Sequence, residues 1–342
     1  MKLGTGLFTC QRPPDDDRST TDIYDEMLEL SRTADEAGLD SIWVSEHHFT
    51  ADEYLPGTMP SLAAIAAETD EIELGTCIAL APLYDGVRLA EDAATLDHLS
   101  HDRLTLGLAI GSNPGEFEAF GVPQDERVER LSDQVDLLRA AWSEGPLDYD
   151  AEFHDIDPEV SVTPKPVDND VPIMLGGGAK PAVRRAARTA DVWCAPSKLS
   201  IGGLQKRIED IRTVREKEEI DGDFDVYIIR HGFVGDSREE AWETMKPGYF
   251  YIQRRYAELF SGETVDELPA IRDLVADLGA VLWSVFFLVP IGRGTVLDPI
   301  SPERSEDVME WLAGVQRDAD FGIKTTEAPH YRRVALQQRQ GG

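Results

Sequence analysis

The sequence predicts an α/β protein built on a parallel sheet, either doubly wound or closed into a barrel. Two observations predict it. Apolar, β-branched runs alternate with amphipathic stretches of helical period, at a cadence that leaves room for crossover helices. Chemically active side chains also stand where two of those runs end: Glu46, His47 and His48 after Ser41 to Val44, and Gly176, Gly177 and Gly178 after Val171 to Leu175. In parallel α/β proteins the carboxyl ends of the strands form the face where ligands bind.

Taken in order, Leu3 to Thr9 alternates and runs into Cys10-Gln11-Arg12-Pro13-Pro14, a first strand and its loop. Asp22 is the expected cap of a helix carrying Ile23, Met27, Leu30, Ala34 and Ala37 at helical spacing, stopped by Gly38. The second strand is the Ser41 to Val44 run. After a loop over 51–60, Ser61 is expected to cap a helix through Ala67, and Ile72 to Leu80 reads as one continuous third strand. Val87 to Leu99 is a helix, Arg103 to Ile110 the fourth strand, and Val128 to Trp142 an amphipathic helix. The Pro- and Asp-containing stretch Leu147 to Pro172 reads as an insertion hairpin or a long loop. Val171 to Leu175 is a strand that enters the glycine turn, with a helix from Ala182 to Thr189. There follow a short strand Asp191 to Ala195, a charged helix Gly203 to Lys217, a strand Val226 to Val234, and a helix opened by Ser237 to Met245 with Asp236 or Ser237 as cap. Tyr249, Phe250, Tyr251 and Tyr256 serve either as pocket lining or as packing.

The carboxylate and two imidazoles at the end of the second strand are read as site residues, the alternative being that one His merely ties down its loop. The glycine turn between a strand and a helix suits a phosphate, because backbone N–H groups at a helix amino terminus make an anion cradle. The same glycines serve equally well for a tight turn that needs φ > 0.

The net charge of -32 is spread along the chain. It fits a surface adapted to molar salt, where screening acts within about 3 Å, or else an acidic surface for a basic partner. Nucleic acid and anionic membrane are not expected partners. No run approaches the roughly 20 apolar residues of a spanning helix, and no leader pattern opens the chain, so a soluble, cytoplasmic protein is expected. Cys10, Cys77 and Cys194 make no metal-ligand spacing, so no zinc, iron-sulfur cluster or disulfide framework is expected.

The runs Leu7-Phe8-Thr9-Cys10-Gln11, Glu46-His47-His48-Phe49-Thr50, Leu74-Gly75-Thr76, Leu89-Ala90-Glu91-Asp92, Leu96-Asp97-His98-Leu99-Ser100 and Glu116-Phe117-Glu118-Ala119-Phe120-Gly121 occur in one order from Gly4 to about Arg255. Together they resemble the bacterial luciferase-like family of flavin-dependent oxidoreductases. The resemblance implies a (β/α)8 TIM barrel over residues 1–260 with reduced FMN at its carboxyl mouth, reacting there with dioxygen and a small organic substrate. It implies His47 as acid/base, a role that suits imidazole near neutral pH, with Glu46 and His48 orienting it. It implies a non-prolyl cis peptide at Cys77-Ile78 under the flavin ring. It also implies a flavin reductase as supplier of reduced flavin, and a homo-oligomer.

Two departures stand in the loop after the fourth strand. Ile110 replaces the family's phosphate-binding Arg and Ala109 its reactive Cys, which leaves the cofactor to Ser112, Asn113, Gly176, Gly177, Gly178, Ala179 and Lys180. Deazaflavin (coenzyme F420) enzymes of the same superfamily carry a Cys-Ile pair at this bend, so an F420-dependent dehydrogenase or reductase is the alternative. A flavin-binding protein without turnover is a third reading. Residues 261–342 resemble a fragment of a radical S-adenosylmethionine protein lacking its cluster cysteines. They are expected to close the barrel as a substitute eighth βα unit, with a helix Leu268 to Leu278, a strand Val281 to Val289 and a helix Ser305 to Ala319, or to form an appended tail.

Overall fold

A computed structural model describes residues 2–154, 156, 159–259, 282–286, 308–312, 315–316 and 322–326. The chain divides into two compact units, residues 1–249 and 250–342.

In the first unit the strands β1 (Gly4–Phe8), β2 (Ser41–Val44), β3 (Glu73–Thr76), β5 (Leu104–Ala109), β6 (Ile173–Gly176), β7 (Val192–Ala195) and β8 (Asp225–Ile228) pair side by side in that order, and β4 (Ala79–Leu80) pairs with β5. Every pairing is parallel. Helices α1 (Thr20–Glu36), α2 (Thr58–Glu68), α3 (Gly86–Ser100), α4 (Pro114–Phe120), α5 (Arg127–Trp142), α6 (Lys180–Thr189) and α7 (Ile201–Lys217) fall between the strands. α8 (Arg238–Leu259) follows β8 and carries Pro247 inside it.

Two layers of apolar side chains hold this arrangement. Ile42, Leu74, Leu106 and Ile173 join Leu62, Leu89, Leu138 and Ala186 in the main core, which helices and sheet share. A smaller cluster contains Cys77, Met174, Val192 and Cys194, with Leu7, Trp43 and Tyr227 packed against it. Trp43 on β2 and Tyr227 on β8 meet edge to face with ring centroids 5.2 Å apart, although four strands stand between them along the sheet. A flat sheet cannot bring them together; the sheet curls into a barrel whose lumen these side chains fill. The (β/α)8 TIM-barrel class therefore holds.

Several predicted details change. α1 is capped by Ser19, with Asp22 as the third helical residue closing a capping box. α2 starts at Thr58, and Ser61 sits in its first turn with its hydroxyl on the Gly57 carbonyl at 2.8 Å. The expected third strand is two short ones, because the chain bends at Cys77-Ile78, where the peptide is cis. β8 ends at Ile228 because its partner β7 ends at Ala195, which leaves no ladder for residues beyond, and Val234 is 94% exposed. The described part of 143–172 contains no helix or strand and is a long loop. It is held by Asp133, which accepts from the Tyr149 hydroxyl and the Glu152 N–H, both at 2.9 Å.

In the second unit β9 (Leu282–Phe286) lies within the expected strand, and it pairs in parallel with β10 (Gly322–Thr326), which the sequence did not suggest. Residues 308–312 are helical, as expected for that stretch. The expected helix over 268–278, and Phe287 and Leu288, lie outside the described residues.

Candidate active site

Ser45, Glu46 and His47 leave β2 buried, held by neighbours on both sides. The Ser45 N–H donates to the Phe8 carbonyl at 3.0 Å, and the Cys77 N–H to the Val44 carbonyl at 2.7 Å. A buried carboxylate needs donors for its oxygens, and Glu46 has three: His48 Nε2 at 2.7 Å on one oxygen, the Leu80 N–H and the Tyr84 hydroxyl at 2.9 Å each on the other. Burial, with the Glu46 charge beside it, pushes the Tyr84 phenol well above its ordinary range and keeps it a donor. Glu46 thus clamps the segment that follows the cis bend.

Glu46 and His48 pair with each other, and the His47 ring meets Glu116. His47 Nδ1 lies 2.9 Å from Glu116 Oε1, and that oxygen also accepts the His48 N–H at 2.9 Å. Glu116 comes from the first turn of α4, which Asn113 caps through its side-chain oxygen on the Gly115 N–H at 3.0 Å. With Glu116 accepting, Nδ1 carries the ring proton and Nε2 becomes the basic nitrogen. Tyr54 meets the His47 ring edge to face at 4.9 Å and limits its rotation. Glu116 is 1% exposed, and its second oxygen, Oε2, has no partner among the described residues. Leaving a buried acceptor unmade costs about 1–3 kcal/mol, so this oxygen stands out among the buried groups of the site.

The other half of the site lies on β6. The Ile78 Cδ1 methyl stands where a Cβ on residue 176 would lie, so any larger residue there would have to turn the Ile78 side chain aside. The carbonyls of Gly177 and Gly178 are taken by Trp193 Nε1 at 2.8 Å and Arg207 Nε at 2.9 Å. A planar trans peptide sends its N–H opposite to its carbonyl, so the N–H groups of Gly178 and Ala179 point the other way. Ala179 is the N-cap of α6 and has no side chain that can satisfy them. Gly177 has φ +130°, as the tight-turn reading of this stretch requires. Lys180 is turned to Asp210 at 3.4 Å.

Between these halves, in the loop after β5, the Ser112 carbonyl accepts from Gln124 Nε2 at 2.9 Å. The Gln124 carbonyl in turn accepts from Arg127 Nη1 at 2.8 Å, while the buried Arg127 Nε has no partner among the described residues. Ile110, where the Arg was missed, packs into the main core. Pairings such as Leu80 with Ala109, Leu108 with Leu175 and Gly176 with Cys194 put the ends of β4, β5, β6 and β7 on one rim. A concavity of about 900 Å³ lined by Phe233, Val234, Trp242 and Met245 contains none of these groups.

A family model described as luciferase-like monooxygenase matches residues 1–273. The chain belongs to the luciferase-like monooxygenase family. The match runs past the junction that the sequence suggests near residue 260. Among curated proteins, the oxygenase component of a flavin-dependent trigonelline monooxygenase from Acinetobacter baylyi is 27% identical over 69% of this chain and 66% of its own length. An uncharacterized protein of Mycobacterium tuberculosis is 36% identical over 47% of this chain and 58% of its own. The chain thus spans about two thirds or less of these relatives. Among solved structures, monooxygenase RslO1 from Streptomyces bottropensis superposes with a TM-score of 0.71 at 23% identity, covering 99% of this chain and 97% of that one. The oxygenating constituent of Pseudomonas putida 3,6-diketocamphane monooxygenase, in complex with FMN, gives 0.63 at 19%, covering 98% and 95%. An F420-dependent secondary alcohol dehydrogenase gives 0.62 at 15%, covering 99% and 97%. Identities this low show the fold alone, and the luciferase-like fold is shared by flavin and deazaflavin enzymes.

Within this family member, Glu116, Tyr84 and Arg127 are the site neighbours that sequence reasoning missed. Glu116 stood inside one of the recognised runs, but nothing local tied it to His47. No helix of the described residues is long and apolar enough to cross a membrane.

Proposed function

We propose that this chain is the oxygenase part of a flavin-dependent monooxygenase that uses reduced FMN and dioxygen on a small organic substrate. The observation that carries the reading is the buried His47–Glu116 pair, with Oε2 of Glu116 left without a donor among the described residues. It stands at the β2 end of the strand-end face whose β6 end carries the cradle of Gly178 and Ala179.

The residues present fit the cofactor. The Gly178 and Ala179 N–H groups and the partnerless Arg127 Nε suit a phosphate, with Ser112 and Asn113 in the loop between. Gly176, Gly177, Cys77 and Ile78 line the side where the ring would lie. Reduced FMN, when bound, supplies the two electrons that activate dioxygen. His47 then holds or delivers a proton at Nε2, Glu116 keeps the ring in that tautomer, and Glu46 with His48 fixes the loop. The name of the Acinetobacter relative, an oxygenase component, supports a separate flavin reductase as the supplier of reduced flavin. An F420-dependent dehydrogenase is the second reading, favoured by the fold shared with the F420-dependent alcohol dehydrogenase and by the Cys77-Ile78 residue pair after β3.

The test is anaerobic titration with reduced FMN followed by admission of dioxygen, for the wild type and His47→Ala. Both proteins should bind the flavin, with substrate-dependent product formed by the wild type alone. Equal product yields from the two would sink His47 as the acid/base.

A further inference from the structure

Two of the three cysteines face each other. Cys77 Sγ, at the end of β3, and Cys194 Sγ, on β7, are 3.6 Å apart inside the barrel, though 117 residues apart in sequence. Both are free thiols, 7% and 2% exposed, walled by Met174 and Val192. Cys10 lies 3.6 Å from the Met27 thioether, which offers no second thiol. The sequence reading expected no disulfide framework; the geometry supplies a single facing thiol pair.

We propose that Cys77 and Cys194 are a modification site, a thiol pair that hydrogen peroxide oxidises to an intramolecular disulfide across the barrel lumen. One sulfur gives two electrons to the peroxide O–O bond, becoming a sulfenic acid as that bond breaks and one water leaves. The second thiol attacks the sulfenic sulfur, the S–S bond forms, and a second water departs. Two thiols and one peroxide thus become one disulfide and two waters. The sulfurs must close to about 2.05 Å, a movement of roughly 1.5 Å that side-chain rotation begins and the strand ends complete.

The hydrogen bond with the Cys194 sulfur, and burial after it, raise the Cys77 thiol well above its ordinary range. Cys77 is therefore held protonated and slow toward dilute oxidant at neutral pH, and oxidation of the pair should quicken as pH rises. A peroxide made beside it by unproductive turnover is the oxidant it would meet most often; that source, unlike the thiol chemistry, rests on the flavin reading.

The experiment exposes the full chain to hydrogen peroxide, counts thiols after denaturation, and maps the unreduced digest by mass. The expected result is a fall from three thiols to one, with a Cys77–Cys194 cross-linked peptide and Cys10 still free. Cys194→Ser should form no intramolecular cross-link at the dose that cross-links the wild type. Three surviving thiols in the folded wild type, a cross-link between chains, or sulfinic acid on Cys77 without a cross-link would each overturn the proposal. A repeat with reduced FMN and air in place of added peroxide, with and without catalase, reads the source. Cross-linking by peroxide but not by flavin turnover would remove that source while leaving the thiol pair intact.

Discussion

Glu116 Oε1 accepts from the His47 ring and from the His48 main chain, both at 2.9 Å, so one carboxylate oxygen fixes both the ring and the turn that carries it. The pairing joins the end of β2 to the start of α4 across 69 residues of sequence.

The first prediction concerns that pair. His47→Ala should lower kcat by about 10²–10⁴, the range for loss of a general acid or base. Glu116→Gln keeps the shape but offers His47 a neutral acceptor, and should lower kcat less, by about tenfold. The check is kcat and KM with a substrate found by screening for flavin-dependent product. A Glu116→Gln effect confined to KM would place Glu116 in binding instead.

Arg127 is predicted to take over the charge that position 110 lacks. Arg127→Gln should weaken FMN by about 10- to 100-fold, the equivalent of one charged hydrogen bond of about 1.5–3 kcal/mol, and leave riboflavin unchanged. Fluorescence titration with the two flavins reads it directly. Equal losses for both would show a general packing role.

Thr76 should matter for stability. Its buried hydroxyl donates to the Gly107 carbonyl at 2.6 Å and accepts the Gly107 N–H at 2.8 Å, bracing β3 against β5 just before the bend. Thr76→Val leaves both backbone groups unpaired and should cost about 2–4 kcal/mol in urea unfolding. An unchanged midpoint would mean that the strands re-pair without the hydroxyl.

The loops after β1 and β2 are tied by Arg12 and Glu53, 2.8 Å apart. Hydrogen bonds from Arg12 and Thr20 hold the Glu53 carboxyl down at about 2, against an ordinary 4.5. Its unfolded form binds a proton more readily, so the tie contributes fully above about pH 4.5 and fades as pH falls toward 2. Thermal unfolding of Glu53→Gln should therefore fall below the wild type at pH 6 and converge on it near pH 2. Because the pair is exposed, the gap should shrink in molar salt.

The parallel α/β class was legible because strand and helix periods are local properties, while the choice of a barrel over a doubly wound sheet came from the family resemblance. The run Glu46, His47 and His48 was legible too, since three polar groups follow a buried strand. The break in the third strand was not legible from periodicity, since Cys77 and Ile78 are as apolar as their neighbours; the family resemblance supplied it. Glu116 and Arg127 escaped because their meaning lies in partners that the fold provides or withholds. The length of β8 escaped for a similar reason: Val226 to Val234 has strand character, but a strand needs a ladder, and Ala195 ends it.

The central claim is best tested by anaerobic equilibrium binding of reduced FMN and reduced F420 to the same preparation, each displaced by the other. The account predicts that reduced FMN binds at micromolar concentration or tighter and that F420 does not displace it. Tight F420 binding with FMN excluded would contradict it, and would move the chemistry at His47 from oxygen activation to hydride transfer.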